Sequence, residues 1–179
     1  PDKQNGRQLL YKKAGCKKNK KIALVMTENP AVAKEIYKEF KNDFELVSVF
    51  HYNFGYKNVA DLTPFEWLDA LSACDFVFTS YFHATCFSII NNVKFLSFGT
   101  KIKGSKLREI LQKSGNMDRY VSLDDKDFSF ALLKEKFEIA NVDVSNSEFC
   151  SKCKAEFNEF LDRLYNAYNK ECAKREISN

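Results

Sequence analysis

The sequence lacks three features, each of which would assign it to a broad class. No stretch approaches 18 consecutive uncharged apolar residues, so we expect no membrane-spanning helix. Neither G-x-G-x-x-G nor G-x-x-x-x-G-K-[ST] occurs, which argues against dinucleotide-binding and P-loop proteins. No run rich in proline, glycine and serine interrupts residues 21–179, and there are no internal repeats. These absences favour one continuous domain over residues 21–179.

An initiator methionine and a signal-peptide pattern are also missing. Because the chain begins at Pro1, we interpret it as a piece of a longer protein. What it does contain is ample core material: 45% of its 179 residues are apolar, and 17 are phenylalanine. A chain of this composition is expected to fold.

The net charge of +4 is unevenly distributed along the chain. Residues 1–21 hold eight basic side chains and one acidic one, whereas the remainder of the chain carries 20 basic and 23 acidic side chains. We interpret residues 1–20 as a basic flexible leader or linker. Nucleic-acid binding would need lysine and arginine clustered on a folded face, so no nucleic-acid partner is expected.

Cysteine usage indicates a reducing, cytoplasmic compartment. Cys74 and Cys86 lie in apolar surroundings typical of small core residues. Cys150 and Cys153 form a single C-x-x-C within a helical pattern, and one such pair is too little for structural zinc, which needs four ligands. We therefore expect no metal site and no cofactor.

Buried strands alternate with amphipathic helices over residues 21–123. Strands are predicted in the segments KKIALVMT, FELVSVF, DFVFTS, KFLSFG and RYVSL. Helix starts are marked by Asn29-Pro30 and by Thr63-Pro64 with Glu66, the latter a capping box. This alternation predicts an α/β domain with a Rossmann-like open parallel sheet flanked by helices.

The pattern becomes helical from about residue 129. The segment FALLKEKFEIA predicts a short helix, and a long amphipathic helix begins at about Ser147. We assign both to the same domain, with the long helix packing on it or on a neighbouring molecule.

Turns at the carboxyl ends of the strands are the expected ligand site of such a sheet. The third strand is followed by Ser80, His83 and Thr85, where helix N–H groups and hydroxyls suit an anion and a histidine can move a proton near neutral pH. The fourth is followed by a cluster of basic and hydroxyl side chains: Lys101, Lys103, Ser105 and Lys106. The alternative is that His83 only caps its helix and the lysines are solvated.

An ordered set of residues resembles the polysaccharide pyruvyl transferase family. The resemblance is carried by CDFVFTSYFHATCFSIINNVKFLSF and GSKLREILQKSGNMDRY, and it spans about residues 62–120. The matching positions are Asp75, Ser80 or Tyr81, Phe82, His83, Phe87, Ser88, Ile89, Lys94, Ser105, Leu107, Leu111, Asp118 and Arg119. Residues 21–50 agree with the family in layout only.

The resemblance implies the C-terminal half of a glycosyltransferase-B-like enzyme, with the N-terminal domain missing and the fragment inactive alone. Such transferases move pyruvate as a ketal from phosphoenolpyruvate to a sugar of a bacterial surface polysaccharide. His83 is the implied acid/base, and Arg119 is either structural or anion-binding. The implied substrate-binding residues are Ser80, Tyr81, Thr85, Lys103, Ser105 and Lys106.

Three positions depart from the family pattern. Tyr81 stands where some members have arginine, Ala84 where glycine follows the histidine, and Lys106 where arginine is usual. Lysine offers a point charge in place of a bidentate fork. Two alternatives therefore stay open: a glycosyltransferase-B-type domain that binds a nucleotide sugar, and a degenerate, non-catalytic binding domain.

Overall fold

The computed structural model describes residues 1–102, 104–124, 130–143 and 145–177, with the side chains of 130, 131, 164 and 166–177 left out. Its strands are β1 Lys21–Met26, β2 Phe44–Val49, β3 Lys57–Val59, β4 Phe76–Thr79, β5 Phe95–Gly99 and β6 Tyr120–Ser122. Its helices are α1 Lys3–Ala14, α2 Pro30–Phe40, α3 Pro64–Ala73, α4 Phe82–Ile90, α5 Ser105–Lys113, α6 Phe130–Ala140 and α7 Ser147–Ile177. A short 3-10 helix, Met117–Arg119, leads into β6.

The strands form one open, all-parallel sheet in the order β3-β2-β1-β4-β5-β6. This confirms the predicted Rossmann-like fold and is the strand order of doubly wound dinucleotide-type sheets. The five strands expected from the sequence are present. The sixth, β3, was not among the predicted strands. Its three residues, Lys57–Val59, are too few to show a periodicity, and the strand is recognised by its pairing with β2.

Alternate residues of the strands supply two cores, one on each face of the sheet. On one face, α2 and α6 pack against a phenylalanine cluster that comprises Phe40, Phe44, Phe76, Phe78 and Phe137. The opposite face buries side chains that include Ile22, Leu24, Met26, Leu71, Val77 and Ile89. Burial on both faces explains the continuous apolar runs of β1 and β4.

The amino-terminal segment differs from the expected flexible leader. Residues 3–14 form α1, which begins at the side-chain cap of Asp2 and ends at Gly15 in the left-handed region (φ 64°). Gly6 allows α1 to approach α3 so closely that a Cβ atom there would lie 2.0 Å from the carbonyl oxygen of Asp69. Leu10 is buried. A helix pattern was missed because most of its side chains are polar or basic.

Both helix starts marked in the sequence are confirmed. The Asn29 side chain accepts from the N–H groups of Ala31 and Val32 at the start of α2. At the start of α3, Thr63 and Glu66 make the reciprocal bonds of a capping box. These local signals position the two turns that precede the helices.

The chain divides into two compact units, residues 1–144 and 145–179. The first holds the sheet and helices α1 to α6. The second contains α7, on which exposed apolar side chains include Phe157, Phe160, Leu161 and Tyr165. Within the described residues, the helices are all too short or too polar to cross a membrane.

Candidate functional site

The ends of β1 and β4 form the centre of the candidate site. These strands are neighbours, and the chain proceeds from β1 to β2 on one side and from β4 to β5 on the other. Open α/β sheets bind ligands in the crevice at such a reversal point. A hollow of about 470 Å³ lies there, and its lining residues are Thr27, Glu28, Asn29, Pro30, Ser80, Tyr81, Phe98, Gly99, Thr100, Leu107 and Leu123.

Main-chain and hydroxyl hydrogen bonds fix the turn after β4 against β1. The Ser80 N–H and the Thr79 hydroxyl both donate to the carbonyl of Met26, at 2.9 and 3.2 Å. The Tyr81 N–H in turn donates to the Thr79 hydroxyl oxygen at 2.9 Å. Thr79 therefore holds Ser80 and Tyr81 at the rim of the hollow.

Tyr81, which follows β4, contacts a residue that follows β2, the strand on the far side of β1. Its hydroxyl is hydrogen-bonded to Nε2 of His51, which follows β2. Burial raises the pKa of Tyr81 above its ordinary value, and the negative charge of Glu28 adds to that shift. The hydroxyl consequently stays protonated at neutral pH.

Two of the helices that start beside the hollow have no side-chain cap. Tyr81 makes no capping hydrogen bond at the start of α4, and Gly104, at the start of α5, has no side chain to do so. By contrast, α2 is capped by Asn29. The first N–H groups of α4 and α5 therefore have no side-chain cap, an arrangement that suits an anion.

The turn between β5 and α5 is shaped by a close approach that the sequence did not reveal. A Cβ atom on Gly104 would lie 2.5 Å from both the Thr100 carbonyl oxygen and the Tyr120 hydroxyl. Arg108 donates to the carbonyls of Thr100 and Lys101 and to the Tyr120 hydroxyl. This arginine orders the turn that forms one wall of the hollow.

His83 lies on the first turn of α4 and is exposed to solvent. Its ring centroid is 5.7 Å from that of Phe82. The lining of the hollow includes Ser80 and Tyr81 and does not extend to His83. His83 is therefore an exposed residue of α4, two positions beyond Tyr81 and outside the lining of the hollow.

Thr85 is fully buried, although the sequence placed it among the ligand-binding residues. Its hydroxyl donates to the Tyr81 carbonyl and pairs with the Ser97 hydroxyl at 2.7 Å. These two hydrogen bonds use the Thr85 hydroxyl to connect the Tyr81 turn with β5. The neighbouring Ala84 is also fully buried, so its methyl group belongs to the core.

The lysine and serine side chains after β5 that were expected to hold an anion are outside the lining of the hollow between β1 and β4 or outside the described residues. Ser105 and Lys106 are exposed on the first turn of α5. Lys106 lines a separate hollow of about 350 Å³ together with Phe82 and Lys113. Lys101 is exposed as well, and Lys103 lies outside the described residues.

Arg119 lies at the opposite edge of the sheet, immediately before β6. It is 2% exposed, donates to the Val142 carbonyl at 2.9 Å and lies over the Phe95 ring. Burial lowers its pKa from the ordinary arginine value. Of the two roles expected for Arg119, this placement supports the structural one.

Residues of two other turns were not assigned roles from the sequence. The turn Thr27–Pro30 lines the hollow, although it has no glycine-rich pattern that would mark it as a ligand site. His51 lies in the loop that follows β2. The useful signal was its position directly after a buried strand, at the same sheet edge as Ser80.

Metal-ligating side chains do not cluster in the part of the chain that the structure describes: it contains no group of three or more His, Cys, Asp or Glu suited to a metal ion. Cys74 is buried as predicted, and burial raises the pKa of its thiol to about 12. Such a thiol is inert at neutral pH.

Comparison with known proteins identifies the family. The family model described as polysaccharide pyruvyl transferase matches residues 10–101, just over half of the chain. The match begins in α1, well before the stretch from about residue 62 that carried the resemblance, and it ends ahead of α5. No curated protein and no solved structure matches the chain. With this match and the Rossmann-like sheet, the chain belongs to the polysaccharide pyruvyl transferase family.

Proposed function

We propose that the hollow between β1 and β4 binds phosphoenolpyruvate and that the protein transfers its pyruvyl group to a polysaccharide sugar as a ketal. Family membership supports a transferase with a polysaccharide acceptor. The observation that carries the proposal is the position of the hollow: it lies at the strand reversal, bordered by the uncapped N-termini of α4 and α5.

Phosphoenolpyruvate carries a phosphate and a carboxylate, and the site offers donors for both. The free N–H groups at the starts of α4 and α5 favour negative charge. The Ser80 hydroxyl lines the hollow. From the family resemblance we assign further phosphate contacts to Lys106 and Ser105 on α5, with Lys103 as a third candidate. In the free protein Lys106 lines the separate hollow of about 350 Å³, so this assignment requires its side chain to turn toward the ligand.

The chemistry requires an acid and a base. Protonation of the phosphoenolpyruvate methylene carbon makes the neighbouring carbon electrophilic, and two sugar hydroxyls add to it while its bond to the phosphate oxygen breaks. Each hydroxyl loses its proton, and inorganic phosphate leaves. We assign acid/base catalysis to His83, which follows the lining residue Tyr81 by two positions on the first turn of α4. Glu28, an exposed carboxylate in the lining, is a second candidate to accept a hydroxyl proton.

Ligand binding by the chain tests the first part of the proposal. Phosphoenolpyruvate is expected to raise the melting temperature, because a ligand at 100 times its Kd stabilises the native state by about 2.7 kcal/mol. Ser80→Ala and Lys106→Ala are expected to weaken this effect. Lys12→Ala, which changes an exposed lysine of α1, is the matched control and should leave it unchanged.

Nucleotide sugars provide the competing outcome. If a nucleotide sugar raises the melting temperature and phosphoenolpyruvate does not, the chain is a glycosyltransferase-B-type donor domain and the proposal is wrong. If neither ligand does so, the degenerate binding domain is favoured.

Phosphate release tests the role of His83. In the shortest stretch of the protein that releases phosphate from phosphoenolpyruvate and an acceptor, His83→Ala is expected to lower the rate by about 10²–10⁴. An unchanged rate would exclude His83 as the acid/base and direct attention to Glu28.

A further inference from the structure

His51 and Tyr81 connect two strand ends across the end of the strand between them. The sheet order places β1 between β2 and β4, and the two residues follow β2 and β4 respectively. Nε2 of His51 is hydrogen-bonded to the Tyr81 hydroxyl, and the ring centroids are 6.0 Å apart. Tyr81 lines the hollow, whereas His51 is outside its lining.

The loop that carries His51 is braced by neutral groups. The Ser48 hydroxyl donates to the His51 carbonyl at 2.6 Å, and the Asn53 amide donates to the Ser48 hydroxyl at 2.8 Å. Such bracing fixes the position of His51 whether its ring is neutral or charged. The pair can therefore respond to a proton without a rearrangement of the backbone.

The hydrogen-bonding capacities of the two side chains restrict what Tyr81 can offer a ligand. A tyrosine hydroxyl has one proton, and a neutral imidazole has one acceptor nitrogen, whereas a protonated imidazole has only donors. A phenol is a better donor than a neutral imidazole N–H, so beside a neutral His51 the Tyr81 proton is directed at Nε2. Only oxygen lone pairs then remain for the hollow.

Protonation of His51 reverses this bond. Nε2 then carries a proton and donates to the Tyr81 oxygen, which frees the tyrosine proton to point into the hollow. An imidazolium also adds a positive charge behind the tyrosine, and hydrogen bonds to charged groups are the stronger ones. Both changes favour an anionic ligand.

We propose that His51 acts as a positioning residue which, through its protonation, sets whether the Tyr81 hydroxyl accepts from or donates to a ligand in the hollow. Anions such as phosphoenolpyruvate consequently bind more tightly when His51 is charged, and ligand hydroxyls are accepted when it is neutral. The inference takes its natural ligand from the proposed function, but its geometry does not depend on that ligand.

Two other ionisable side chains are relevant to the pair. Glu28, from the turn after β1, helps to raise the pKa of Tyr81 through its negative charge. The same charge opposes the binding of an anion in the hollow, which Glu28 lines. His83 lies two residues beyond Tyr81 on α4. Imidazoles change charge between about pH 5 and 8, and the sequence has two histidines. The two can therefore be separated by substitution.

Calorimetric titration at pH 6 and pH 8 tests the inference, with phosphoenolpyruvate and with sulfate as probes. Sulfate stays a dianion over this range, so its binding reports the protein alone. We expect wild-type protein to bind sulfate about tenfold more tightly at pH 6 than at pH 8, in keeping with a charge-assisted hydrogen bond. The change should be lost in His51→Gln and in Tyr81→Phe and retained in His83→Gln.

The outcomes separate this inference from the proposed function. If sulfate binding depends on His51 but phosphoenolpyruvate does not bind, the pair is as inferred and the proposed function is wrong. If phosphoenolpyruvate binds but the pH dependence is absent, or is lost in His83→Gln and not in His51→Gln, the inference is wrong. If neither anion binds at either pH, both are wrong. Circular dichroism and melting temperature verify that each variant folds.

Discussion

Asp75 joins three parts of the chain at the start of β4. Its Oδ2 atom accepts from the Ile22 N–H of β1 at 2.7 Å and from Arg7 of α1 at 3.0 Å. Asp75 is also the acidic residue with which the family-like segment begins. At this position its carboxylate organises the start of the strand and takes no part in the hollow at the other edge.

Substitution of Asp75 tests this structural role. Asp75→Ala removes the acceptor of the Ile22 N–H, and leaving such a group unsatisfied costs about 1–3 kcal/mol. We expect the free energy of unfolding, measured with urea, to fall by about that amount. Asp43→Ala, a control at an exposed aspartate before β2, should change it by less than about 0.5 kcal/mol. Equal values for the two variants would contradict the assignment.

The ionisation of Glu66 makes the free energy of unfolding depend on pH in the acidic range. Its bonds to the Thr63 N–H, to Lys13 and to the Thr63 hydroxyl lower its pKa below the ordinary value of 4.5. Because the folded-state pKa is lowered, the stabilisation is present above pH 4.5 and is lost as the pH falls through the folded value. Glu66→Gln should therefore lower the melting temperature at pH 7 and have a smaller effect near pH 3.

The matched control for Glu66 is Glu138→Gln, which changes an exposed glutamate of α6. It should leave the melting temperature nearly the same at both pH values. A Glu66→Gln effect that is equally large at pH 3 and pH 7 would show that the charge is not responsible.

At the scale of secondary-structure elements, some helices are specified by local capping residues and others by packing against distant segments. The starts of α2 and α3 were predicted correctly because Asn29 and Thr63 cap them with bonds to residues two or three positions ahead. Helix α1 has the weaker local pattern, and its place in the fold depends on α3, far along the chain. A charge-based interpretation of residues 1–20 could not reveal this contact.

Gly6→Ala tests the contact between α1 and α3. Alanine is the better helix former by about 1 kcal/mol, so intrinsic propensity alone predicts stabilisation. The added methyl would however lie 2.0 Å from the Asp69 carbonyl oxygen, which belongs to the backbone and cannot move aside easily. We expect a net loss of about 1–3 kcal/mol in urea unfolding.

Gln8→Ala, at an exposed position of the same helix, is the control for Gly6→Ala and should not destabilise the protein. If Gly6→Ala stabilises the protein to the same extent as this control, α1 does not pack closely on α3 in solution.

At the scale of the whole molecule, residues 1–144 form a compact unit with its own core. Every strand and the entire candidate site belong to it. A shortened chain of residues 1–144 is therefore expected to unfold cooperatively in calorimetry and to bind phosphoenolpyruvate with the affinity of the full chain. A non-cooperative transition would show that residues 145–179 are needed for the fold.

The sequence by itself determined the alternation of strands and helices and the parallel sheet, because periodicity and capping act over a few residues. The sheet edge at which a ligand binds stays a prediction. Only the tertiary structure decided which edge residues face the hollow. It buried Thr85, moved Arg119 to the opposite edge and brought His51 to Tyr81, 30 positions away. These outcomes depend on strand order and on the packing of distant segments, which local patterns do not encode.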